Sequence, residues 1–178
     1  MKTHSMKIAG LERQLPLCEV SSSLDIAAFI MFSDVEVTVA SAKALLEKCP
    51  DFEVLITAES KGIPLAYEMS RQSGKNYVVA RKSVKVYMTD PIAVHVKSIT
   101  TEDVQTLYLS KEDAERIAGK KVLIIDDVIS TGESLLALEK LVKAAGGNIA
   151  AEAAVLAEGA AADRDDIIFL EKLPVFPK

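Results

Sequence analysis

Residues 121–135 read KVLIIDDVISTGESL. Val122, Leu123, Ile124 and Ile125 are consecutive apolar residues, mostly β-branched. Such a run, bounded by polar residues, predicts a strand buried on both faces, as in a parallel sheet. Asp126 and Asp127 close the strand on this reading. Two adjacent carboxylates in that position are costly unless something from outside engages them. The loop from Val128 to Ser134 follows, and a helical pattern runs from Leu135 to about Ala145. In an open α/β sheet, ligands bind where a strand's carboxyl end gives way to a tight loop and a helix start. Free backbone N–H groups and the positive end of the helix dipole make such a loop an anion site.

Working outward, Val54–Thr57 predicts a short buried strand, Ala58–Gly62 its turn, and Ile63 to about Gln72 a helix with Pro64 in its first turn. A helix from about Val37 to Lys48 precedes them, stopped by Pro50. Tyr77–Ala80 is the next strand. Ile92–Val96 and Val104–Leu109 alternate roughly apolar and polar, as a half-exposed antiparallel pair does, with Ser98–Asp103 as its tip. Ser110–Asp113 fits a capping box, Gly146–Gly147 a helix stop, and Ile149–Leu156 and Ile167–Leu170 two further strands. Met1–Leu15 is weakly patterned, either a loose arm or a short strand. The alternation of strands and helices predicts an α/β fold with a central parallel sheet.

Composition narrows the function. The 178 residues suit one domain, taken here as residues 1–178, with a core that is mainly aliphatic because Trp is absent and aromatics are 5%. A net charge of −5 argues against direct nucleic-acid binding and against an anionic membrane surface, but not against a phosphorylated small molecule. Cys18 and Cys49 have neither metal-ligand nor CxxC spacing, which points to a reduced, cytoplasmic setting. No signal peptide is apparent, and no apolar run approaches the roughly 18 residues of a membrane span.

VLIIDDVISTGES resembles the 5-phosphoribosyl-1-pyrophosphate (PRPP) signature of the type I phosphoribosyltransferases: four apolar residues, two acids, two apolar residues, then a small loop containing Thr-Gly. Glu59-Ser60-Lys61-Gly62 is similar to the pyrophosphate loop of the adenine phosphoribosyltransferases, where a non-proline cis peptide presents backbone N–H groups to the pyrophosphate. Lys61 stands where that group usually has Arg, and Lys is a point charge without a bidentate fork. The segment from Arg81 to Lys85 resembles the basic stretch whose Arg and Lys reach the pyrophosphate, often across a dimer interface. Ile30–Val35 resembles the hood over the base, with Phe32 as the stacking ring and Met31 and Ser33 supplying backbone groups.

The resemblance implies a type I phosphoribosyltransferase fold with a small hood from both ends of the chain (about residues 1–36 at the N-terminal side) and a flexible β-hairpin flap over about residues 82–109. It implies a homodimer that takes PRPP and a purine, adenine before other bases, and releases pyrophosphate. Asp126 and Asp127 would engage the ribose hydroxyls and stabilise the cationic sugar. Ser130, Thr131, Gly132, Glu133 and Ser134 would cradle the 5′-phosphate. Mg²⁺ would ride on PRPP and water, with no direct protein ligand. Two departures keep alternatives open. The flap offers His95 and Lys97 but no carboxylate before Glu102, and residues 61–67 look as close to xanthine phosphoribosyltransferases and to the PRPP-sensing domain of the bacterial purine operon repressor. A xanthine/hypoxanthine-type enzyme and a non-catalytic PRPP sensor are therefore the alternatives. The pyrimidine branch is disfavoured by the Glu-Ser-Lys-Gly loop.

Overall fold

The computed structural model describes residues 2–97 and 104–178, so the expected flap tip at Ser98–Asp103 lies outside the described residues. In chain order come β1 (Thr3–Ile8), β2 (Leu11–Ser21), β3 (Leu24–Ala27), α1 (Val35–Lys48), β4 (Val54–Ala58), α2 (Ile63–Ser73) and β5 (Asn76–Ala80). There follow β6 (Ile92–Lys97), β7 (Val104–Leu109), α3 (Lys111–Ile117), β8 (Lys121–Ile129), α4 (Glu133–Ala144) and β9 (Asn148–Glu158). A 3₁₀ turn (Gly159–Asp163), β10 (Ile168–Leu173) and β11 (Val175–Pro177) complete the series.

The central sheet has the order β10-β9-β8-β4-β5 and every pair in it is parallel. Both faces are covered, which is why β8 reads as a continuous apolar run. Val122 and Ile124 pack with Leu138, Leu141 and Val142 of α4 and Ile117 of α3. Leu123 and Ile125 point the other way, to Leu45 of α1 and to Leu65 and Met69 of α2. The β6–β7 hairpin joins the first of these layers through buried Val96, Leu107 and Leu109. Arg81 and Tyr108 exchange backbone hydrogen bonds of 2.9 and 2.8 Å, which ties the hairpin to the segment after β5.

Local chemistry sets the helix ends. Asp34 caps α1, its side chain accepting from the Val37 N–H at 3.1 Å. Arg13 holds that cap from β2, with Nε and Nη2 at 2.7 and 3.0 Å from its carboxylate. This guanidinium keeps the Asp34 carboxyl below its ordinary range. Ser110 caps α3 as the capping-box pattern predicts, accepting from Asp113 N–H at 3.1 Å. Gly74 ends α2 in the left-handed conformation, φ 70°.

Two expectations are revised. The weakly patterned N-terminus is a hairpin, β1 pairing with β2 in antiparallel register from Thr3↔Pro16 to Ile8↔Leu11. Its half-buried His4 and Met6 and buried Ile8 alternate with exposed residues, a period of two in too short a stretch to stand out. Strand β8 does not stop at the acids. The eleven-residue β9 continues beside it to Ile129↔Ala157, satisfying the backbone past Asp126 and Asp127. As the resemblance implies, the hood draws on both ends of the sequence: β11 pairs with β3 in the order β1-β2-β3-β11.

Gly147 opens β9 where it crosses the ends of α3 and α4. A Cβ there would lie 2.5 Å from Ile117 Cγ2 and 3.0 Å from Val122 Cγ2 and Val142 Cγ1. Overpacking of this kind costs about 1–3 kcal/mol. Urea unfolding of Gly147→Ala should show a loss of that size; an unchanged midpoint would mean these three side chains give way freely.

Candidate functional site

The acid pair sits just past the last β4–β8 pair, Ile56↔Ile124, with β9 still alongside. Asp127 is 3% exposed, and its N–H donates to Asp126 Oδ1 at 2.8 Å. Burial, and then the neighbouring charge of Asp127, push the Asp126 carboxyl well above the ordinary range. Lys61 Nζ lies 3.0 Å from Asp127 Oδ2, yet that oxygen lacks a partner in hydrogen-bond geometry. The pair is thus engaged from within, by the lysine expected at the pyrophosphate.

The β4–α2 turn presses close against these acids. Its Glu59–Ser60 peptide is cis, as the resemblance implies. A Cβ on Gly62 would fall 2.3 Å from Thr57 Oγ1 and 3.3 Å from Asp126 Oδ1, so only glycine lets the turn approach. Glu59 accepts from the Lys82 N–H at 2.6 Å and from Arg81 Nε at 2.9 Å, and these contacts hold its carboxyl below the ordinary range. Arg81, expected at the pyrophosphate, is thereby pinned to the turn, and its Nη1 also donates to the Tyr87 hydroxyl. Lys85, expected beside it, donates from Nζ to Ser83 Oγ at 2.6 Å.

Residues 130–134 make the loop before α4. Gly132 takes the N-cap position at φ 80° and offers no side-chain cap, so the first helical N–H groups rely on other partners. Thr131 Oγ1 accepts from Glu133 N–H at 3.5 Å. The Ser134 hydroxyl is met from the hairpin, Gln105 Nε2 donating to it at 3.3 Å. In the flap, His95 Nδ1 and Thr106 Oγ1 lie 2.8 Å apart across the strands, which makes His95 a cross-strand partner.

Three cavities meet at Val128. One of about 50 Å³ is lined by Asp126, Val128 and the loop up to Leu135. A second, of about 200 Å³, is lined by Glu59, Ser60, Lys61, Lys82, Asp126, Asp127, Val128 and Ser134. A third, of about 350 Å³, lies under the hood between residues 26–30 and Lys61, Val128, Ser130, Glu158 and Leu173.

The expectation of a stacking ring at Phe32 meets a different geometry. Phe32 and Ser33 form a turn closed by Asp34 N–H to Met31 C=O at 3.1 Å, with Ser33 at φ 66°, which delivers Asp34 to its capping role. Met31 is buried in the core. All three line a separate cavity of about 460 Å³ with residues of α1 and α2, and it shares no lining residue with the other three. The hood residues that share a cavity with Val128 are Ile26–Ile30. Sequence reasoning also passed over Thr57, Lys82, Gln105, Glu158 and Arg164. Arg164 comes within 3.2 Å of where a Cβ on Gly132 would stand, and so backs the loop. Lys82 lies in the basic stretch Arg81–Lys85, and the others sit in no recognisable pattern; each is placed by a contact between elements distant in sequence.

Residues 37–174 match the phosphoribosyl transferase domain family. The adenine phosphoribosyltransferase of Thermotoga neapolitana is 35% identical over 101 residues, covering 57% of this chain and 56% of that protein. The hypoxanthine/guanine phosphoribosyltransferase of Methanothermococcus okinawensis is 37% identical over 99 residues, covering 56% of this chain and 50% of that protein. The matched stretch spans about half the length of these two curated relatives. A crystal structure of an adenine phosphoribosyltransferase from Thermoanaerobacter pseudethanolicus has the same fold, with a TM-score of 0.75 at 19% identity over 89% of this chain and 95% of that one.

Asp126 binds its proton more tightly in the folded chain than in the unfolded one. Its contribution therefore falls as pH rises from the ordinary carboxylate range towards the folded value. At mildly alkaline pH, Asp126→Asn should raise the melting temperature by about 2–4 °C. The gain should vanish below the unfolded value of about 3.9. A thermal midpoint that falls on substitution would show the carboxylate to be a structural asset.

Proposed function

From the premise that the chain belongs to the phosphoribosyl transferase domain family, we propose that it transfers the 5-phosphoribosyl group of PRPP to a purine, adenine favoured, with release of pyrophosphate. The observation that carries this reading is the meeting of three cavities at Val128. A ribose placed there has its 5′-phosphate, its pyrophosphate and its incoming base each directed into a separate recess. In the first, backbone N–H groups of residues 130–134 and the start of α4 suit the 5′-phosphate. In the second, the Glu59–Gly62 turn, Lys61 and Lys82 face the pyrophosphate. Lys61 leaves Asp127 to do so, which frees the acid for the ribose hydroxyls. Arg81 serves the turn through Glu59. The base enters under Ala27–Ile30, and its face lies against Val128.

The acid pair gives the reaction its driving interaction. Two crowded, buried carboxylates are poorly satisfied in the resting protein and best satisfied by a sugar ring that turns cationic as its bond to pyrophosphate breaks. That is stabilisation specific to the transition state. The hard oxygens of this pair, one of them buried without a hydrogen bond, also suit the neighbourhood of Mg²⁺. The ion would be held mainly by PRPP oxygens and water, beside Asp126 and Asp127. When bound, it supplies positive charge against the leaving pyrophosphate.

We further infer a homodimer closed through the α1–α2 face. There Phe32, Val35 and Tyr67 are exposed around the apolar cavity of about 460 Å³. Val39→Asp, on the same face, should shift the molar mass seen in light scattering from dimer to monomer. The free thiols Cys18 and Cys49 suit a reducing cytoplasmic setting. No helix among the described residues is long and apolar enough to cross a membrane.

The test is to supply PRPP, Mg²⁺ and each purine base in turn and follow pyrophosphate release, with adenine expected to be fastest. Asp126→Asn combined with Asp127→Asn should lower turnover by about 10²-fold or more and leave the circular dichroism unchanged. Saturable PRPP binding without turnover of any base would make the protein a sensor.

A further inference from the structure

We propose that Glu158 sets the choice of base, accepting a hydrogen bond from the exocyclic amine of a 6-aminopurine and turning away the carbonyl oxygen of a 6-oxopurine. The proposal rests on the placement of the base under the hood argued above, and deepens it.

Glu158 is the last residue of β9, one position beyond the Ala157 that pairs with Ile129 of β8. On its other side it pairs with Leu173 of β10. Its backbone is thus fixed between two strands of the central sheet, so its position does not depend on a loop. Its side chain lines the hood cavity and takes part in no ion pair or hydrogen bond among the described residues. A half-buried carboxylate with no partner is costly unless a ligand supplies a donor. Burial pushes this carboxyl up and the charge of Lys61 draws it down, as befits a group facing a recess with a cation at its rim.

The inventory of donors in the cavity decides which ligand fits. Of the side chains lining it, Ile26, Ala27, Ala28, Phe29, Ile30, Val128 and Leu173 are apolar. Lys61 is a donor, but it is committed to Asp127 and then to the pyrophosphate. Ser130 belongs to the phosphate loop. The Ala28 N–H is spent on Pro16 C=O at 2.9 Å. A carbonyl at position 6 of the base, set against Glu158, would meet an acidic acceptor where it needs a donor, and an unpaired buried acceptor is unfavourable. An amine at the same position finds its acceptor in Glu158. Sites that pair a substrate's hydrogen-bonding group discriminate more sharply than apolar pockets do.

The experiment compares adenosine 5′-monophosphate with inosine 5′-monophosphate by titration calorimetry on the full chain, using ribose 5-phosphate as the control ligand. The wild type should prefer the amino nucleotide by about tenfold or more, one hydrogen bond's worth. Glu158→Gln, whose amide both donates and accepts, should narrow the ratio to about threefold or less while ribose 5-phosphate binding stays unchanged. Glu158→Ala should weaken the amino nucleotide and likewise narrow the ratio. A ratio that survives both substitutions, or a wild type that prefers the oxo nucleotide, overturns the proposal. The readout is an equilibrium one, so a Glu158-dependent preference in a protein that turns over no base would sink the transferase reading and leave this one standing.

Discussion

The close approach of the Glu59–Gly62 turn to the acids of β8 is the contact from which the rest of the site follows. Thr57 Oγ1 and Asp126 Oδ1 leave no room for a side chain at position 62. With glycine there, Lys61 reaches Asp127 at 3.0 Å and Glu59 turns outward to gather Arg81 and Lys82. The neighbouring strands β4 and β8, parallel and in register up to Ile56↔Ile124, deliver their loops to the same edge of the sheet. The topology brings the two loops together, and glycine lets them touch.

Charge is distributed in the same economical way. The chain is acidic as a whole, yet on the proposed function its site receives phosphates. It does so with a few local devices. An uncapped helix start, a lysine shared between two carboxylates, and backbone N–H groups act at short range, where global charge counts for little. The lysine matters most. Lys61 offsets Asp127 in the resting protein and faces Glu158 across the hood cavity, so one cation stands between the acid pair and the hood.

How much of this could be read from the sequence depended on how local each feature is. The run Val122–Ile125 with Asp126 and Asp127 is dense and contiguous, and its strand, loop and helix were legible within a residue or two. The extension of β8 past the acids was not, because it depends on how far β9 runs alongside. The N-terminal hairpin turns on Ala9 and Gly10, both at positive φ, and an alanine gives no hint of such a turn. Phe32 is ambiguous in the sequence because an aromatic beside Ser-Asp suits a ligand platform and a helix entry equally well. Arg13, twenty-one positions away, makes Asp34 a cap. Arg81 and Glu59 are likewise partners that only the fold introduces.

The hood consists of β1, β2, β3 and β11, and its cavity draws on residues 26–30, Lys61, Val128, Glu158 and Leu173. The phosphate loop is residues 130–134 and little else. One is scattered over the whole chain; the other is a single peptide. A contiguous loop can be moved, copied or matched as a unit, and it keeps its affinity for phosphate wherever a strand and a helix flank it. A discontinuous recess can drift one residue at a time with no visible trace in any motif. On the proposed function, gripping the phosphate is therefore a modular property of the chain, and choosing the base is a property of the folded whole.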